Sequence, residues 1–461
     1  MMRRSITKLP ILRSLFLQIG LPLLHCTTAL FAGPSAHANP VDAFGMGSRG
    51  IALGGAYGAL ASDFSANYYN PAGLATGDDL RLEVGYLWVD PSLELNGGDL
   101  DVDGVHGLQG GLVLPGRLFG HRVGLSLAIY LPDDRLTRVR ALPERQPRFA
   151  LYDNRPQRIV LTTSAAFEAV PDLLYLGLGL TYLSDTGGRL DIAGVVDLQD
   201  AGGTTLISGV DVTFEAVRYA SAGLLLTPGD HLRVGVTFRD AFDLALDIGL
   251  VVRGDIVIDG ASEAPSTIVE DAALTVISRN SNLFSPRQLA LSFAWVEPTW
   301  TVACDLTWLQ WSGFESPTSH LTVELDAGTL PLSIPKTPPP GPPGFHDILV
   351  PRFGAEVTVV DTPQVGLTLR AGYFYEPSPA PAQPGRTNYV DSDKHGLSFG
   401  LGLRLSELTD VFPKPLLLDA ALLWIALPAR TYTKNDPADP VGDYVASGSF
   451  VGFSTTLSFL F

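Results

Sequence analysis

The sequence predicts an all-β fold, a 14-stranded antiparallel transmembrane β-barrel with an N-terminal hatch, or plug, of short helices inside the lumen. Three observations predict it. Segment after segment alternates apolar with small or polar residues, the connections alternate between short and long, and no stretch after residue 38 stays apolar for the roughly 20 residues that a spanning helix needs. The best such stretch, Leu416 to Leu427, is broken by Asp419.

Residues 1–38 read as a secretory signal peptide. Arg3, Arg4, Lys8 and Arg13 precede an apolar run from Leu15 to Ala32, and Ala36-His37-Ala38 places small residues ahead of Asn39, where cleavage is expected. Gly20, Pro22, His25 and Pro34 interrupt the run, which argues against a membrane-anchoring helix. Cys26 leaves with the signal, so of the 2 cysteines only Cys304 stays and no intrachain disulfide can form.

Residues 39–79 do not alternate. Val41 to Thr76 is rich in Ala and Gly and too apolar for a solvated tail. Because it starts on the periplasmic side, burial inside the barrel is the simplest way to cover it.

Residues 80–461 supply the barrel. Val123, Leu125, Leu127 and Ile129 alternate with Arg122, Gly124, Ser126 and Ala128, and Leu174 to Tyr182 and Leu232 to Arg239 repeat the pattern. It returns at Leu397 to Leu405 and at Val451 to Phe461. Fourteen such segments lie near 80–90, 105–114, 121–131, 157–169, 173–184, 211–227, 231–239, 286–297, 299–309, 350–361, 364–375, 395–405, 416–426 and 447–461. Lipid outside and a crowded polar lumen inside explain both faces, whereas a soluble sandwich seldom carries so much Gly and Ser opposite its apolar face. The connections at Val170-Pro171-Asp172, Thr227 to Asp230, Glu297-Pro298 and Asp361-Thr362-Pro363 are short. Those near 91–104, 132–156, 185–210, 240–285, 310–349, 376–394 and 427–446 are long. Short periplasmic turns and long external loops place both chain ends on the periplasmic side. The Pro-rich stretch 331–351 reads as a semi-rigid external loop.

The charge of −17 over 461 residues argues against nucleic acid, whose phosphates demand a basic surface. Gly45-Met-Gly47-Ser-Arg-Gly50 matches a dinucleotide fingerprint letter for letter, yet no strand precedes it and no βαβ unit surrounds it. None of the mature histidines falls in a nucleophile or metal motif, so no enzyme activity, cofactor or metal is expected, and a barrel hydrolase is the weaker alternative. A general or cation-preferring porin is the stronger one, but the apolar plug speaks against it.

The run Gly50-Ile-Ala-Leu-Gly-Gly-Ala56, then Ala61-Ser62-Asp63 and Asn70-Pro71-Ala72-Gly73, resembles the N-terminal hatch of the FadL/TodX family of outer-membrane transporters for long-chain fatty acids and hydrocarbons. Asp305 to Trp308, Trp311-Ser312-Gly313-Phe314, Arg370 to Tyr373, Ser378-Pro379 and Asp391 to His395 resemble late-barrel motifs of the same family. The resemblance implies uptake of hydrophobic compounds into a Gram-negative cell by diffusion through a plugged barrel with lateral exit. It implies an entrance groove on the third and fourth external loops, 185–210 and 240–285, with Leu244, Leu246, Ile248 and Leu250 as candidate contacts. Strand and hairpin extension is the other reading of that run. Candidates for the lateral opening are Gly107, Gly110, Gly111 and Gly124. The expected moving parts are Asn39 to Phe44 and the turn at Asn70, Pro71 and Ala72, with a substrate pocket under the hatch. Expected partners are hydrophobic small molecules or fatty acids, outer-membrane lipid and lipopolysaccharide. The barrel-assembly machinery joins them during biogenesis, because Phe459 and the final Phe461 resemble its recognition signal.

Overall fold

The computed structural model describes residues 40–133, 146–152, 158–197, 205–258, 266–314, 320–326, 343–407 and 414–461. Fourteen strands close into one barrel: β1 Arg81–Leu95, β2 Val105–Leu118, β3 His121–Pro132, β4 Val160–Val170, β5 Leu174–Asp197, β6 Thr205–Leu226 and β7 Leu232–Arg239, followed by β8 Arg287–Val296, β9 Trp300–Gln310, β10 Ile348–Asp361, β11 Val365–Glu376, β12 Lys394–Leu405, β13 Leu416–Tyr432 and β14 Tyr444–Leu460. Each pairs antiparallel with the next, and β14 returns to β1 from Arg81 opposite Leu460 to Leu95 opposite Ala446. All fourteen segments expected from the alternation are present.

The faces sort as the alternation requires. Leu178 is 69% exposed and Phe399 60%, while Ser292 and Ser454 are fully buried. Apolar side chains outside and hydroxyls inside invert the arrangement of a soluble sandwich, and lipid is the solvent that makes this stable. Each wall strand pairs with a neighbour on both sides, so the closed barrel satisfies the backbone groups that hydrocarbon would otherwise leave unpaired.

The lumen is filled by the N-terminal segment. It comprises α1 Pro40–Phe44, α2 Ser48–Ala52, α3 Ala66–Tyr69 and a 3₁₀ turn at Pro71–Ala75. Helices this short are not stable alone, so burial holds them. Gly54 and Gly55 follow α2 at φ +64° and +79°, and a Cβ on Gly54 would lie 2.8 Å from the Tyr373 amide nitrogen of the wall. Glycine is needed there for backbone conformation and clearance alike.

Beyond the membrane band, β5 and β6 run on as one hairpin, and Phe242–Ile258 pairs antiparallel with Ser266–Ser285. The two hairpins lie side by side, with Ile248–Val257 parallel to Gly188–Asp197. Leu244, Leu246, Ile248 and Leu250 therefore sit in a strand extension, and the orientation of their side chains lies outside the described residues. So do the signal segment and most of the Pro-rich loop, whose end, Ile348–Pro351, opens β10.

Candidate functional site

The hatch is bonded to the wall around most of its circumference. The Gly47 amide donates to Gln109 Oε1 of β2 at 3.0 Å, and Ser48 Oγ lies 2.9 Å from both Ser454 and Thr456 of β14. The Gly58 amide donates to Asp305 Oδ2 of β9 at 3.1 Å, the Phe64 amide to Glu83 Oε2 of β1 at 2.7 Å, and Asn67 Nδ2 to Ser126 Oγ of β3 at 2.6 Å. From β7, Thr237 and Arg239 donate to the carbonyls of Tyr69 and Tyr68, and Ser398 of β12 donates to that of Ala52. These bonds explain the polar lumen residues: Gln109, Asp305, Glu83, Thr237, Arg239 and Ser398 each meet a hatch backbone group, while Ser454, Thr456 and Ser126 meet hatch side chains.

Asn70 joins three elements. Its Oδ1 accepts from the Ala72 amide at 3.1 Å and starts the 3₁₀ turn, while its Nδ2 donates to the carbonyls of Gly58 at 2.9 Å and Leu224 of β6 at 3.1 Å. Pro71 takes the first position of that turn, where a missing N–H costs nothing. Ala72 has no room to be larger, since its backbone lies against β5, where a Cβ on Gly177 would stand 2.3 Å from the Ala72 nitrogen.

Above the hatch, toward the external loops, lies a cavity of about 80 Å³. Phe44, Tyr69, Tyr152, Phe374, Leu423 and Phe450 give it an apolar lining, and Arg239, Arg352 and Lys394 bring charge to it. Phe44 of α1 and Tyr152 of the second external loop both rest on the Phe450 ring, at 5.6 and 4.7 Å between centroids. Thus the hatch and an external segment meet on one wall residue. That external segment is held by a short parallel pairing of Arg148–Phe149 with Tyr389–Val390. The periodicity carried no sign of it, because two-residue strands have no period.

Beneath the hatch lies a second cavity of about 370 Å³, lined by Arg49, Ser62, Arg233, Thr301, Glu356 and Arg370 among others. The apolar pocket is thus on the extracellular side of the hatch, and the space under it is polar, the reverse of the placement read from the sequence. The physical reason is the course of α1, which rises from the hatch into the upper lumen and carries Phe44 with it.

Of the remaining sequence candidates, Asn39 lies outside the described residues. Gly107, Gly110, Gly111 and Gly124 occupy β2 and β3, whose mutual ladder runs without a register shift from Gly107 to Leu118. Gly111 and Gly124 face the hatch: a Cβ would stand 2.7 Å from Phe64 Cβ and 2.3 Å from the Leu74 carbonyl oxygen, respectively. On the β1 side, pairing of β2 ends at Val113, so Leu114–Leu118 at the periplasmic end is paired only with β3.

Residues 153–459 match the family model of the outer membrane protein transport proteins (OMPP1/FadL/TodX). The chain belongs to this family. Among solved structures, a FadL homologue from Pseudomonas aeruginosa superposes with a TM-score of 0.57 at 16% identity, covering 93% of this chain and 99% of that one. The toluene transporter TodX of P. putida superposes with a TM-score of 0.51 at 15% identity, covering 91% and 99%. At such identities the likeness concerns the fold. Alkane uptake protein A of Marinobacter nauticus is 26% identical over 195 residues, 42% of this chain. The match spans about two-fifths of that relative's length. As a family member, this FadL/TodX-type chain is an outer-membrane transport protein.

Proposed function

We propose that this chain takes up long-chain fatty acids or hydrocarbons, receiving them in the upper cavity and releasing them sideways through the wall once the hatch shifts, without catalysis. The observation that carries the reading is the apolar upper cavity closed by Phe44 from the hatch and Tyr152 from the external segment. Burial of each methylene there contributes roughly 0.8 kcal/mol, so eight give roughly 6 kcal/mol, enough to capture a poorly soluble chain. The free volume of about 80 Å³ falls below the roughly 150 Å³ that takes a benzene in an engineered apolar cavity. A substrate therefore enters only as Phe44 or the Leu151-Tyr152 segment moves aside.

The run Leu244, Leu246, Ile248 and Leu250 on the extended hairpins is the proposed outer contact. Exit is proposed beside β2 at Gly107, Gly110, Gly111 and Gly124, of which Gly111 and Gly124 lie against Phe64 and Leu74 of the hatch while Gly107 and Gly110 lie against neighbouring strands, and where the periplasmic end of β2 is paired on one side. The signal peptide at 1–38, contact with lipopolysaccharide, and delivery by the barrel-assembly machinery through Phe461 belong to the same proposal.

A disulfide lock tests it. In a Cys304→Ser background, Ser48→Cys with Ser454→Cys would tie the hatch to β14, where the native hydroxyls lie 2.9 Å apart. Uptake of labelled oleate, hexadecane or toluene by cells should stop when the bond forms and return on reduction. Unchanged uptake with the bond formed would refute a moving hatch. A porin would instead conduct steadily in single-channel recordings, whether locked or not.

A further inference from the structure

The cavity beneath the hatch is built differently from the one above. Its walls carry hydroxyls from Thr299, Thr301, Thr358 and Thr368, and its charges come from Arg49, Arg233, Arg370, Glu297 and Glu356. Most of these charges are already taken up. Arg49 Nη2 meets Glu356 Oε1 at 2.6 Å, Arg370 Nε meets Glu356 Oε2 at 3.0 Å, and Arg370 Nη1 meets Asp419 Oδ1 at 2.5 Å. The row Arg49, Glu356, Arg370, Asp419 alternates in sign. Glu297 accepts from Trp295 Nε1 at 2.8 Å and lies 3.4 Å from His231 Nδ1, so it serves the periplasmic rim.

Arg233 is left over. It stands on the lumen face of β7, between the lipid-facing Leu232 and Val234. Among the described residues no carboxylate pairs with it and no acceptor receives its N–H groups. A guanidinium offers five donors in a planar fork matched to carboxylate and phosphate. Placed in a recess between walls of low dielectric, beside hydroxyls that can also donate, it makes that recess a place where donors outnumber acceptors.

We propose that this vestibule binds a small oxyanion or the anionic headgroup of an amphiphile, with Arg233 as the principal contact and the threonine hydroxyls around it. The volume of about 370 Å³ admits a phosphate or carboxylate group with its water, and the polar lining gives a hydrocarbon tail nothing to gain. The site is separate from the upper cavity, since the hatch lies between them. An anion held there also stands in the cavity that Arg49 borders. It would compete with Glu356 for that guanidinium, which belongs to the hatch.

Calorimetric titration of the purified full chain in detergent at low salt tests the assignment. The probes are inorganic phosphate, monooctyl phosphate and octanol, and the proteins are wild type, Arg233→Gln and Arg233→Lys. Phosphate and monooctyl phosphate should bind the wild type, octanol should show no dependence on residue 233, and Arg233→Gln should weaken anion binding at least about tenfold. Arg233→Lys, which keeps the charge but loses the fork, should retain part of it. Binding of monooctyl phosphate without inorganic phosphate, still lost in Arg233→Gln, would support a headgroup as the source; binding of both would support a free oxyanion. Equal anion binding by wild type and Arg233→Gln, or none by the wild type, would overturn the proposal. The readout does not depend on transport, so a failure here leaves the uptake reading standing, and the reverse holds too.

Discussion

Asn70 shows at the scale of one residue how a motif earns its place. A side chain that is fully buried and makes three hydrogen bonds to backbone leaves all three partners unsatisfied when it is removed. Asn70→Ala should therefore loosen the hatch by on the order of 3 kcal/mol. Single-channel recordings check this: the variant should show frequent open bursts where the wild type is silent, and wild-type silence in the variant would count against the role. Phe44 acts through volume. Phe44→Ala deletes the ring that rests on Phe450 and joins its space to the upper cavity. Bound hydrocarbon should then be retained more readily on gentle extraction, as mass spectrometry of the purified protein would reveal.

At the scale of the element, α1 is the piece that separates blocking from transport. It is bonded to the wall through Asp42, which accepts from Ser285 Oγ at 2.7 Å and Gln288 Nε2 at 3.3 Å. Deleting residues 39–44 should leave the barrel folded, because every wall ladder is formed without them, and should slow uptake by removing the gate that couples capture to release. Heat-modifiable gel mobility reports the first and labelled-oleate uptake the second. Uptake at the wild-type rate would deny this segment a gating part.

The whole molecule is a closed wall around a plug held to it by side-chain hydrogen bonds, and alkaline pH should separate the two. The Tyr68 hydroxyl is pushed up to about 12 by burial, against the pull of the Arg239 guanidinium, and burial also raises Tyr57 and Tyr69. A released hatch would ionise these groups near their ordinary value of 10, while the docked hatch keeps Tyr68 neutral to about 12. The released form thus holds fewer protons across that window, so docking is fully stabilised below pH 10 and weakens as pH rises toward 12. Limited proteolysis across that range should cut the hatch first, with circular dichroism of the barrel unchanged. Simultaneous loss of both would show that plug and wall are one cooperative unit.

The sequence by itself determined the wall. Period-two alternation over Val123–Ile129, Leu397–Leu405 and Val451–Phe461 marks strands, the Gly and Ser opposite the apolar face favour lipid outside and a crowded lumen inside, and the short and long connections set their order and direction. It also marked the hatch, since an apolar segment without alternation at the mouth of a barrel has only the lumen to enter. Tertiary structure decided what the lumen does. Arg233 reads in sequence as one more polar position on a lumen face, and only the neighbours brought by β9, β10 and β11 show that it lacks a partner. Phe44, Tyr152 and Phe450 are far apart in the chain and meet only because α1 rises through the bore while an external segment folds down to it. Alternation is a local property that each strand carries alone, whereas the contents of a bore depend on contacts between residues hundreds of positions apart.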